Sequence, residues 1–109
     1  IDTPLTTPGG YASMQEMMNR GRLPTAIFCG NDSVALGVMK ALSEHAIAVP
    51  DDLSIIGFDN IEMSAYSHPA LTTIAIPTKE LGRIAVKVMF ERSRQAATTR
   101  LKSICPSPL

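Results

Sequence analysis

Two stretches of this sequence share one design, and they restrict the fold more than anything else in it. Thr25-Ala26-Ile27-Phe28-Cys29 is apolar and β-rich and ends in Gly30-Asn31-Asp32. Leu53-Ser54-Ile55-Ile56-Gly57-Phe58 is a second such run and ends in Asp59-Asn60. A helical pattern follows each. Buried parallel strands read as short, nearly continuous apolar runs, and strands that alternate with helices form parallel sheets with right-handed crossovers. Both polar pairs then emerge at one sheet edge. In open α/β sheets, ligands are held at that carboxyl edge. The expected fold class is α/β: three-layer, with a mostly parallel sheet flanked by helices.

The remaining elements fit this frame. Thr7-Pro8-Gly9 opens a helix, with Thr7 as N-cap and Pro8 first in the helix, running to about Arg20 and ended by Gly21. Tyr11, Met14, Met17 and Met18 are spaced for one apolar face. Asn31 or Asp32 caps a helix over about 33–46. Its Val34, Leu36, Val38, Met39, Ala41 and Leu42 cover more than one face, so two burial partners are expected, the sheet and something else. Pro50-Asp51-Asp52 is a turn. A short helix is expected near 61–67, stopped by Pro69, and a strand over 71–76. The longest helix runs over 77–95, with Leu81, Ile84, Ala85, Val88 and Met89 as a core-facing stripe. A last strand over 101–105 is broken by Pro106. Three long helices and about four strands fall slightly short of a closed three-layer sandwich, as a fragment would.

Bulk properties exclude several functions. Ten basic and ten acidic residues give a formal net charge of zero. Gripping a phosphate backbone needs clustered Lys and Arg, so any DNA-binding role is expected in a part of the protein outside this sequence. No apolar run approaches the roughly 18 residues of a membrane span. The start, Ile1-Asp2-Thr3-Pro4-Leu5, lacks the basic and apolar regions of a signal peptide, and without a Met it reads as an internal fragment or a processed start. Cys29 and Cys105, in strand-like settings, read as reduced buried thiols, which favours a cytoplasmic origin. His45 and His68 have no Cys or His within ligand spacing, so no metal is expected.

Asn31 and Asp59 are the candidate ligand contacts, each just past a strand's carboxyl end. Asn offers donors and an acceptor, and an ionised Asp offers acceptors only. The set suits a ligand rich in hydroxyl or N–H donors, such as a sugar or nucleoside. Helix capping is the competing reading for Asn31, Asp32, Asp59 and Asn60, whose positions also suit it. Catalysis is not expected. The G-x-S-x-G elbow, the P-loop and the G-x-G-x-x-G fingerprint are all lacking, and no acidic metal pocket with a Lys accompanies Asp59.

At this level of detail the sequence resembles the lactose-repressor/galactose-repressor (LacI/GalR) family of bacterial transcription regulators. The residues that carry the resemblance are Pro24 to Asp32, Ala35-Leu36-Gly37, Val49 to Asn60, Pro69-Ala70-Leu71-Thr72-Thr73-Ile74, and Glu80-Leu81-Gly82 with Ala85. It runs from about Thr7 to Leu109. It implies a periplasmic-binding-protein-like (type I) fold and, for residues 1–109, an incomplete C-terminal subdomain of the effector-binding core. The helix-turn-helix and the N-terminal core subdomain would lie outside this chain. It places Asn31, Asp59 and Thr78 on effector-contacting or cleft-lining positions. It also places Leu5 where family members often carry an aromatic ring, which an aliphatic side chain cannot replace in stacking. It implies a homodimer formed through Leu36, Met39 and Lys40 with Ser64, Tyr66 and Ser67. The implied mechanism is allosteric: a sugar or nucleoside-like effector shifts the two core subdomains and thereby the affinity for operator DNA, with no cofactor and no membrane contact. A periplasmic sugar-binding protein of a transporter is the alternative of the same fold.

Overall fold

Three parallel strands organise the residues around the candidate edge. The computed structural model describes residues 1–95, which divide into two units, Ile1–Ala75 and a second that starts at Ile76. In the first unit β1 (Ala26–Phe28), β2 (Ser54–Asp59) and β3 (Thr72–Ala75) form one sheet in that order. Both pairings are parallel, with Phe28 opposite Ile56 and Ile56 opposite Thr72. The Cys29 N–H extends the first ladder, donating to the Ile56 carbonyl at 2.9 Å. The two apolar runs are therefore neighbours, as a shared edge requires. The expected fourth strand over 101–105 lies outside the described residues, and so does Cys105.

Three helices complete the unit: α1 (Thr7–Asn19), α2 (Asp32–Glu44) and the short α3 (Met63–Tyr66). The cap of α1 falls one residue before the expected Thr7. Thr6 Oγ1 accepts from the Gly9 N–H at 3.1 Å, so Pro8 sits second in the helix, where a backbone N–H would have no helical partner anyway. Gly21, at a φ of 74°, ends the helix as expected. Helix α2 stops at Glu44, short of the expected 46, because Ala46 turns to a φ of 56°.

The wide apolar surface of α2 has a different second partner from the one the family resemblance suggests. On one side α2 lies against β2. On the other it packs along α1, the most extensive contact between elements. Met14, Val34, Ala35, Val38, Met39, Ala41, Leu42, Leu53 and Ile55 form the core between them. The breadth is thus consumed within the chain, and no second copy is needed to account for it. Gly10 and Gly37 permit the close crossing. A methyl at Gly10 would overlap the Val34 carbonyl, and one at Gly37 the Thr7 carbonyl. Tyr11 of α1 also donates from Oη to Glu44 Oε2 of α2 at 2.6 Å. That bond to a carboxylate holds the Tyr11 hydroxyl above its ordinary pKa.

Strand alternation sends Ile55 and Gly57 to the helix face, where both are buried. Phe28, Ile56 and Phe58 take the opposite face, and Phe28 is 63% exposed. An apolar hollow of about 720 Å³ opens at the amino ends of the strands, bordered by Ala26, Phe28, Ser54, Ile56 and Pro69. It contains neither Asn31 nor Asp59.

The second unit holds α4 (Thr78–Arg94), preceded by Pro77 without a side-chain cap. Leu81, Ile84, Ala85, Val88 and Met89 lie along it with the expected spacing. No helix among the described residues is long and apolar enough to cross a membrane.

Candidate functional site

The carboxyl edge of the sheet is assembled around a buried aspartate that is not one of the two candidate contacts. Asp32, the first residue of α2, has 0% exposure. Its Oδ2 accepts from the Ile61 N–H at 2.9 Å and from Ser64 Oγ at 2.6 Å, and its Oδ1 accepts from Thr73 Oγ1 at 2.6 Å. Thr73 Oγ1 in turn accepts from the Asn60 N–H at 3.2 Å. One carboxylate thus ties the loop after β1 to the loop after β2, to α3 and to β3. Burial pushes the Asp32 carboxyl up. The bonds from Ser64, Thr73, Ile61 and the Phe58 backbone more than offset this and hold it below the usual carboxylate range. Gly57 makes room for it, because a methyl there would overlap Asp32 Oδ1.

Asn31 and Asp59 lie at corresponding levels past the ends of β1 and β2, three residues beyond the paired Phe28 and Ile56. The two competing readings of the polar pairs separate here. Asn31 is a cap: its Oδ1 accepts from the Val34 N–H at 2.9 Å. Its Nδ2 donates to the Leu5 carbonyl at 3.2 Å, which brings the exposed Leu5 to the same edge. Asp59 and Asn60 cap nothing. Glu62 holds the cap position of α3, without a side-chain bond. Asp59 ends β2 half-exposed at a φ of 114°, and Asn60 follows at 56°. Positive φ is uncommon for residues other than glycine and marks backbone that its surroundings hold in place. The hydrogen bonds of this loop are made by the Asn60 and Ile61 backbone and leave the Asp59 carboxylate unengaged among the described residues. Thr78 opens α4 in the second unit, with its N–H donating to the Ile76 carbonyl at 2.8 Å.

The six residues expected at a dimer contact divide. Ser64 is 1% exposed and committed to Asp32, so it cannot form a surface. Met39 belongs to the core and Leu36 packs beside it. Ser67 Oγ is occupied by the Ser64 and Pro69 carbonyls. Lys40 is exposed and pairs with Glu44 at 3.3 Å, and Tyr66 is 74% exposed. Cys29 is a buried thiol, pushed by desolvation and then by nearby Asp32 up to about 11.

Asp32, Ser64, Thr73 and Gly57 were not recognisable as a set from the sequence. Gly57, inside an apolar strand, was the available signal, since a strand glycine often marks a close approach.

A model of the periplasmic binding protein-like domain matches residues 2–108. This chain belongs to the periplasmic binding protein-like domain family. Its likeness within that domain family is to LacI-type regulators. It is 42% identical over 101 residues to the HTH-type transcriptional repressor PurR of Glaesserella parasuis, covering 93% of this chain and 30% of the repressor. It is 39% identical over 84 residues to the ribose operon repressor of Haemophilus influenzae, covering 77% of this chain and 25% of that protein. Among solved structures, a LacI family transcriptional regulator from Enterococcus faecalis with bound ribose superposes with a TM-score of 0.80 at 40% identity, over 90% of this chain and 36% of that one. This piece of periplasmic binding protein-like domain therefore spans about a third or less of the length of the relatives it matches.

Proposed function

We propose that this chain is the later part of the effector-binding and dimerising core of a LacI/GalR-type transcription regulator, and that it is not an enzyme. Its ligand is a small sugar or nucleoside-like molecule held between this sheet edge and a facing subdomain outside the sequence. The observation that carries this reading is the half-exposed Asp59 carboxylate, left unengaged beside Asn31 and Leu5 on one sheet edge. The relatives support it, because they are named as transcriptional repressors and one solved relative holds ribose. A carboxylate offered to a polyhydroxyl ligand accepts two hydroxyl protons at once, which neutral side chains do less strongly. Asn31 is already bonded through both side-chain atoms, so its spare amide proton and acceptor lone pair are what remain for a ligand. Ligand affinity that differs between two subdomain orientations would shift their populations, and with them operator binding by a helix-turn-helix elsewhere in the protein.

Asp59→Asn in the complete protein keeps the shape and the tolerance of positive φ but removes the charge. Binding of D-ribose, measured by calorimetry, is expected to weaken by about 2 kcal/mol, the usual range for a hydrogen bond to a charged group. The melting temperature should stay within about 2 °C of wild type, since exposed substitutions cost little. Unchanged affinity would remove Asp59 from the site.

The dimer proposal now rests on the exposed members of its set, Tyr66 and Lys40, with Met63 as an exposed apolar neighbour. Tyr66→Glu is expected to shift the protein toward monomer in sedimentation, because it sets a charge in an apolar contact. An unaltered mass would overturn this assignment.

A further inference from the structure

We infer that Asp32 is the positioning residue of the effector site. It holds Asp59 in its strained backbone conformation from behind the sheet edge and so sets the affinity of a site it never touches. The inference rests on the reading of Asp59 as an effector contact. The geometry is specific. After Asp59, two consecutive backbone N–H groups are taken up by one carboxylate, that of Ile61 directly at Oδ2 and that of Asn60 through Thr73 Oγ1 at Oδ1. Those two bonds fix the chain within and just beyond the positive-φ pair, Asp59 at 114° and Asn60 at 56°. Strained φ values persist only where the surroundings over-determine them.

Other features of the edge point the same way. Gly57 is the residue whose missing side chain admits Oδ1 against β2, so the strand itself is shaped around the carboxylate. Ser64, donating to Oδ2 at 2.6 Å, locks the short helix that follows. Every buried side-chain polar atom among the described residues has a partner, so no unpaired buried acceptor stands ready to replace the carboxylate if Asp32 is altered. A neutral amide at position 32 imitates the carboxylate only in part, because one of its two ends is a donor. In one orientation its NH2 faces the Ile61 N–H, donor against donor. In the other it takes the place at which Thr73 donates.

The test compares Asp32→Asn, Thr73→Val and Thr73→Ser in the complete protein, reading amide exchange and D-ribose affinity. Asp32→Asn is expected to speed exchange at Asn60 and Ile61 by about tenfold or more, and Thr73→Val to do so at Asn60, in each case beyond any rise shared by core amides such as Ala35 and Leu42. Ribose affinity should fall about tenfold in both variants, and Thr73→Ser, which keeps the hydroxyl, should restore both readouts. Unchanged exchange at Asn60 and Ile61, or a rise shared equally by the core amides, would overturn the inference by showing either no control of the loop or a purely structural role. Faster loop exchange with full ribose affinity would equally overturn it, since the loop's geometry would then not matter to the ligand. If wild-type protein binds no ribose, the choice of effector fails instead, and the exchange rates alone decide whether Asp32 holds the loop.

Discussion

Gly37→Ala is expected to destabilise the fold by about 2–3 kcal/mol, although alanine is the better helix former. Intrinsic propensity favours Ala over Gly by about 1 kcal/mol in a helix interior. Packing opposes it. The added methyl would overlap the Thr7 carbonyl and lie 2.7 Å from the Tyr11 nitrogen. Both are backbone atoms of α1 and cannot move aside by a change of rotamer. The two helices must separate, and overpacking of this kind typically costs about 1–3 kcal/mol or more. The packing loss wins because it also loosens the contact that buries Met14, Val34 and Val38. Gly10→Ala, meeting the Val34 carbonyl, acts on the same crossing. The double variant should therefore lose less than the sum of the singles, since the first separation relieves the second clash. Gly82→Ala is the control: among the described residues nothing lies within 4 Å of its added methyl, and it should stabilise by about 0.5–1 kcal/mol. Urea unfolding of the three single variants and the double checks all of this, and a Gly37→Ala midpoint at or above wild type would overturn it.

Asp32→Ala is expected to cost about 4 kcal/mol. Removal of the carboxylate leaves the Ile61 N–H, the Ser64 hydroxyl and the Thr73 hydroxyl without their acceptor. Each buried orphan costs about 1–3 kcal/mol, partly relieved where a hydroxyl can rotate. Against a typical total of about 5–15 kcal/mol, this is the largest loss any single polar side chain of the first unit should produce. The pH dependence has a definite sign. The folded-state carboxyl titrates below the ordinary value of about 3.9. Folding thus favours the charged form. The stabilisation is complete above about pH 5 and disappears as the pH falls through the folded value. The gap in stability between wild type and Asp32→Asn should therefore narrow in acid. A gap that stays constant from pH 7 down to pH 3 would show that Asp32 is not held as a carboxylate.

Much of the edge was legible in advance because it depends on local pattern. The apolar runs 25–29 and 53–58 became neighbouring parallel strands, and Asn31 and Asp59 came out at matching levels. What misled was wherever two meanings share one residue type. A polar residue after a strand can cap a helix, contact a ligand or anchor loops from within. Asn31 caps α2 and Asp32 anchors the loops, as their partners show, while Asp59, left unengaged among the described residues, is the one proposed to meet a ligand. Ser64 illustrates the same limit: its place in a family pattern suggested a surface, and its hydroxyl is spent on a carboxylate 32 positions earlier.

Periodicity, cap chemistry and strand-end polarity were enough to determine the order of elements, the parallel sheet and the edge at which Asn31 and Asp59 emerge. These follow from backbone geometry and side-chain spacing within a dozen or so residues. Tertiary structure alone decided that α2 spends its broad apolar surface on α1, that Gly57 exists to admit a carboxylate, and that Asp32 rather than its neighbours holds the loops. Those facts depend on contacts between residues 24 to 41 positions apart, from Gly10 on Val34 to Thr73 on Asp32, and no local pattern encodes which distant donor a buried charge will find.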